Sequence, residues 1–219
     1  MSQNNLTDLQ TSKLKSIKYF APARSIAEAN SILPKVDDLV EKYAKSLMIW
    51  KKENDTFQHA SDLLWDLARV EAMKSSHANT WDSAWNYAWK EANQSARDNY
   101  GWYGSEFLTG ETVRDVARDA AKYAARYAAF ESVKEKFGGI NPFEYVIELY
   151  SMGLRPTYFR KIDEQEKFVV DFPLKVDGKN VIGCYLHGDK EILFAHQWID
   201  YCTNLKPTNN HDSERSFTL

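Results

Sequence analysis

The sequence predicts an α+β protein. A helical bundle over residues 1–139 precedes a connector helix and a small antiparallel meander over 140–207, and a flexible tail spans 208–219. Three observations carry this. No proline occurs between Lys35 and Lys136, a stretch rich in Ala, Leu, Glu, Lys and Arg, and such composition forms helices. Asn141-Pro142-Phe143-Glu144 supplies a capping residue, a proline suited to the first helical turn and an acidic residue near the helix start. Beyond Pro156 the chain runs in β-branched and aromatic blocks, 158–162, 167–172 and 181–186, with Asp177-Gly178 between the last two as a hairpin turn.

Taken in order, one or two short helices are expected in the first thirty residues, around 6–18 and 24–32. The next covers 36–52, with Pro34 just ahead of it and Asn54-Asp55 ending it. A helix over 56–76 carries the apolar stripe Phe57, Ala60, Leu64, Leu67, Ala68 and Val70. Another starts after Asn79 or Thr80 and ends near Asn99, before Gly101 and Gly104. A long one follows over 109–137 and stops at Gly138-Gly139. Gly153 closes the connector helix, and Gly188-Asp189 follows the third strand block. Residues 191–202 fit a last strand, a last helix, or one after the other.

Composition narrows the function classes. The chain has 219 residues, 43% of them hydrophobic and 27% charged, which is ordinary globular usage. The net charge of -3 falls in residues 139–219, so neither part has the basic excess of a dedicated polyanion binder. No apolar run is long enough to cross a bilayer, and the first ten residues lack the pattern of a secretory signal. With two cysteines, a disulfide scaffold is excluded as a class. The expectation is a cytoplasmic protein with no membrane partner and no cofactor.

Aromatic content is high, at 14% with seven tryptophans. On the helix near residues 80–99, Trp81, Trp85, Ala88, Trp89, Ala92 and Ala96 fall on one stripe with Ala84 beside it, which suits either a core face or an aromatic-lined pocket. The helix over 109–137 carries Val113, Val116, Ala117, Ala120, Ala121, Ala124, Tyr127, Ala128 and Ala129 on one face. Arg114, Arg118, Lys122 and Arg126 recur every four residues along its flank. A row of four cations at that spacing can track a phosphate backbone. Glu111, Asp115 and Asp119 are threaded through the row as i,i+3 partners, and they would neutralise its field.

Catalytic signatures are sparse. No glycine-rich phosphate loop, His-Glu-x-x-His, Gly-x-Ser-x-Gly or Cys-x-x-Cys occurs. The best chemical cluster is Cys184, His187, His196 and Cys202, two thiols and two imidazoles that could bind zinc tetrahedrally or form a thiol–imidazole pair. Residues 184 and 187 point to opposite faces of a continuous strand, so both serve one metal only if the strand ends between them.

The Ala/Trp/Arg-rich helical segment, Asn141-Pro142-Phe143-Glu144 and Leu149-Tyr150-Ser151-Met152-Gly153-Leu154-Arg155-Pro156 together resemble a pattern in uncharacterised microbial and viral proteins. The resemblance covers roughly residues 81–172. It implies that the Asn-Pro helix and the turn at 153–156 join the helical part to the β part. It implies no activity.

The function expected is a non-catalytic protein-binding module, an adaptor or inhibitor that occupies a partner's surface. A viral or mobile-element inhibitor of a host complex is one form of it. Tyr, Trp and Arg anchor interfaces, so Trp102, Tyr103, Tyr158 and Phe159, near loops or strand edges, are the candidate partner-binding residues. The alternatives are a nucleic-acid binder using Arg114, Arg118, Lys122 and Arg126, and a zinc or thiol site at Cys184, His187, His196 and Cys202.

Overall fold

The structure is a computed structural model that describes residues 6–19, 22–74, 79–98, 110–162 and 165–194. Among the described residues, six helices are followed by a four-stranded antiparallel sheet, which is the α+β order expected. The tail over 208–219, and the part of 191–202 beyond Phe194, lie outside the described residues.

The first three helices begin where a side chain satisfies an open backbone N–H. Helix α1, Asp8–Lys15, starts at a capping box: the Thr7 hydroxyl accepts from the Gln10 N–H while the Gln10 side chain accepts from the Thr7 N–H. Helix α2, Ile26–Leu47, opens with the same device, made by Ser25 and Glu28. This corrects two expectations at once. The helices read over 24–32 and 36–52 are one helix, and Pro34 lies inside it. Proline removes the bond to the carbonyl four residues back, that of Asn30. Both Asn30 and Pro34 are exposed, so water can meet that carbonyl. The opposite face buries Ala29, Leu33, Val36, Val40, Tyr43 and Leu47, and this stripe holds the helix across the interruption.

A short 3-10 turn, Met48–Trp50, ends α2, and Thr56 caps α3, Phe57–Met73, accepting from the His59 N–H at 3.0 Å. Helix α4, Thr80–Asp98, packs chiefly on α5, Gly110–Val133. Ala84, Ala88 and Ala92 of α4 are fully buried, as are Ala117, Ala121, Ala124 and Ala128 of α5. Small side chains at this spacing let two helix backbones approach closely. Helix α5 tightens into a 3-10 turn at Lys134–Phe137, and Gly138 takes the left-handed conformation (φ 92°) that stops it.

Asn141 then organises the connector. Its side-chain oxygen accepts from the Phe143 N–H at 3.2 Å. Its amide donates to the Tyr127 carbonyl and to Glu131, both at 3.0 Å, which ties the start of α6, Phe143–Ser151, to α5.

The strands β1 (Arg155–Ile162), β2 (Gln165–Val176), β3 (Lys179–Leu186) and β4 (Leu193–Phe194) pair in sequence order. Asp177 and Gly178 both have positive φ between the paired residues Val176 and Lys179, the two-residue turn that matches strand twist. A Cβ at Gly183 would meet Leu174 Cδ1 at 2.6 Å and crowd Ile192, so a side chain there would force both to shift. Residues Phe168, Val170, Phe172 and Leu174 alternate on β2 toward the helices. There they join a core that includes Leu14, Val36, Tyr43, Leu64, Phe130, Phe143 and Tyr150. One core therefore runs through the helices and the sheet. Val169, Cys184 and Leu186 form a smaller cluster with Ile162, against which Tyr158 and Leu193 pack. No helix among the described residues is long and apolar enough to cross a membrane.

Candidate functional site

The expected partner-binding residues separate. Trp102 and Tyr103 lie outside the described residues. A bulge between Pro156 and Phe159 sets the orientation of the other two. Tyr158 is half-buried against the small cluster, and burial pushes its phenol up from the ordinary value. Phe159 points the other way. It is buried, with ring centroids 4.8 Å from Phe168, 5.1 Å from Phe57 and 5.6 Å from Tyr43. Phe159 is thus a core residue rather than an exposed anchor. Successive strand side chains face opposite sides, so Tyr158 and Phe159 could not both serve one surface.

The basic row is broken for a related reason. Arg114 is exposed, Arg118 is exposed and bonded to Asp115 at 2.6 Å, and Lys122 is half-buried. Arg126 is 4% exposed. Its guanidinium donates to Ser61 Oγ at 2.9 Å and to Asp62. Ser61 Oγ also lies 2.8 Å from the Tyr43 hydroxyl. The same guanidinium stands 5.8 Å from the Tyr123 ring centroid and 5.9 Å from that of Phe143. A four-residue step advances about 40° around an α-helix, so three steps turn the row through about 120°. Helix α5 has α4 on one side and α3 with α6 on another, and that turn carries Arg126 from the flank into the interior. The four residues do not form one solvent-facing track.

The Cys/His cluster is also divided. Cys184 is buried in the small cluster, on the sheet face away from Tyr43 and Phe143. His187 follows the end of β3, and its Nε2 lies 4.0 Å from Asp37 Oδ1 on α2. His196 and Cys202 lie outside the described residues. Among the described residues, no three His, Cys, Asp or Glu side chains are grouped to hold a metal.

Three arrangements were not legible in the sequence. Asp37 receives the β3 end: the Tyr185 hydroxyl donates to its carboxylate at 2.9 Å, and the Gly188 N–H lies 3.3 Å from it. Arg155 and Asp171 are cross-strand partners, and Asp119 of α5 stands within electrostatic reach of both. Burial pushes both carboxyl groups up, against the opposing pull of Arg155.

The third arrangement is on α3. Leu63, Leu67 and Val70 stand at i, i+4 and i+7 on the flank of the stripe formed by the buried Ala60, Leu64, Ala68 and Ala72, about 110° around the helix from its centre, with Leu63 half-buried. Leu67, Val70 and the neighbouring Met73 are 38 to 56% exposed. The expected apolar stripe placed Leu67 and Val70 with the core, and the structure turns them outward. On α4, Trp85 and Trp89 each follow a seam alanine in the chain, about 100° around the helix from it, so they lie on the seam's flank. Trp81 and Trp85 pack against the core, while Trp89 is exposed and stacks on Trp85 with an interplanar angle of 8°.

Comparisons with protein-family models, with curated proteins and with solved structures return no match to this chain.

Proposed function

We propose that the chain is a non-catalytic protein-binding module, an adaptor or inhibitor, and that the outward face of α3 is its contact surface. The observation that carries this reading is the exposed row Leu67, Val70 and Met73, with half-buried Leu63 one turn ahead of it. A solvent-facing helix row of this kind gains from burial by about 25 cal/mol per Å² of apolar surface removed from water. Anchors at i, i+4 and i+7 are the pattern by which an amphipathic helix fills an apolar groove. The partner in this reading is a protein that presents such a groove. The rim suits a neutral match, because Asp66 and Arg69, which flank the row, lie 3.9 Å apart and offset one another.

The test is an affinity capture from the native host's lysate with wild-type chain and with the double variant Leu67→Asp, Val70→Asp, each with and without nuclease. The expected result is one protein retained at stoichiometric level after nuclease treatment and lost with the variant. Both sites are exposed, so the variant should fold as the wild type does, and circular dichroism checks this. Retention that vanishes with nuclease, or that persists in the variant, overturns the reading.

A further inference from the structure

We propose that the outward row of α3 docks a second copy of this chain, with the two α3 helices antiparallel about a two-fold axis. The inference rests on the reading of α3 as a contact surface. It names what covers that surface until another protein displaces it.

The charges beside the row select this occupant. At about 100° per residue, Asp62, Asp66 and Arg69 stand on the face of α3 opposite its buried stripe, on the solvent side of Leu67 and Val70. Asp62 already accepts from the buried Arg126 guanidinium. Asp66 and Arg69 are not closed on each other. Their contact is 3.9 Å, and their side chains are 63% and 41% exposed. Five other ion pairs one turn apart, Asp115 with Arg118 among them, close to between 2.6 and 3.1 Å. Asp66 therefore keeps acceptor capacity, and Arg69 keeps donors, for a group outside the chain.

A two-fold axis makes every contact reciprocal: where Asp66 meets Arg69 of the second copy, Arg69 meets Asp66 of the second copy. Set midway between Leu67 and Val70, the axis lays Leu67 against Val70 of the second copy and Leu63 against Met73. Asp66 and Arg69 of the second copy then stand about 3 Å out of register along the helix axis, within the length of an arginine side chain. The apolar row is covered by itself, and each free charge meets its opposite. A parallel pair would set Asp66 beside Asp66 and Arg69 beside Arg69, and would align the two helix dipoles unfavourably. The contact is small, so the association it supports is weak.

The experiment is sedimentation equilibrium of the full chain at low salt, from about 10 µM to about 1 mM, the range in which small interfaces associate. The expected result is a mean mass that climbs from one chain towards two. The double variant Leu67→Asp, Val70→Asp should stay at one chain throughout. Asp66→Arg and Arg69→Asp, each alone, set like charges against one another and should weaken self-association about tenfold. Mixed in equal amounts, these two variants should recover the wild-type association, because a chain with two arginines then faces a chain with two aspartates. That recovery also shows that both variants are folded. A wild-type mass that stays at one chain up to the highest concentration overturns the proposal. So does association that survives Leu67→Asp, Val70→Asp, or a mixture that associates no better than its components. The two readings of α3 fail separately. A foreign protein captured by a chain that does not self-associate removes the second copy and keeps the contact surface. Recovery in the mixture with nothing captured from lysate keeps the second copy and removes the foreign partner.

Discussion

Around Tyr43 the helices meet the sheet through large rings, whereas α4 meets α5 through alanines. In the first region Tyr43, Phe143, Phe159 and Phe168 fill the space between α2, α6 and the inner sheet face, with ring centroids 4.8 to 6.4 Å apart. In the second, Ala84, Ala88 and Ala92 are fully buried on a helix that packs chiefly on α5, where Ala117, Ala121, Ala124 and Ala128 are fully buried too. The contrast teaches that a close-packed interior can be reached from two directions, and each is vulnerable to the opposite change. A ring core loses stability when a side chain is shortened, because the frame around it cannot collapse. An alanine seam loses stability when a side chain is lengthened, because the backbones already touch.

Substitutions in the two regions put this to the test. The largest effect belongs to the ring core. Phe168→Ala opens a cavity bordered by Tyr43 and Phe159, and it should lower unfolding free energy by about 3–5 kcal/mol in a urea titration. Next comes the seam. Ala88→Leu overpacks α4 against α5 and should lower it by about 1–3 kcal/mol, although the substitution adds apolar surface. If Ala88→Leu proves neutral or stabilising, the seam has free volume and the contrast fails. The smallest effect belongs to the flank. Trp89 is exposed and rests on Trp85, so Trp89→Ala should change stability by no more than about 0.5 kcal/mol. A loss comparable with that of Phe168→Ala would mean that Trp89 is covered in solution.

Much of the architecture was legible because its causes are local. Asn141 and Pro142 start a helix, Gly138 stops one, and Asp177-Gly178 turns a hairpin wherever such residues meet compatible neighbours. The candidate sites were less legible. A row of four cations and a pair of adjacent aromatics are patterns along the chain, while a surface is a property of what packs against it. Arg126 and Phe159 both looked accessible and both lie in the core. Leu67 and Val70 looked internal and face out, because α3 buries a narrower stripe, Ala60, Leu64, Ala68 and Ala72, than its full run of apolar residues suggests.

Short-range chemistry by itself determined the α+β order, the helix caps, the glycine stops and the period-2 alternation of β2, since each depends on backbone sterics and hydrogen bonds within a few residues. Tertiary structure alone decided three things. It carried α2 through Pro34, because the buried stripe on the opposite face outweighs one missing backbone bond. It took Arg126 inside, because Ser61, Asp62 and two aromatic rings compensate a charge that the chain's own turn could not. It left the outer row of α3 in water, because no described element is placed to cover it. In each case the deciding energy comes from groups far apart in the chain, and it acts only once the fold has brought them within reach.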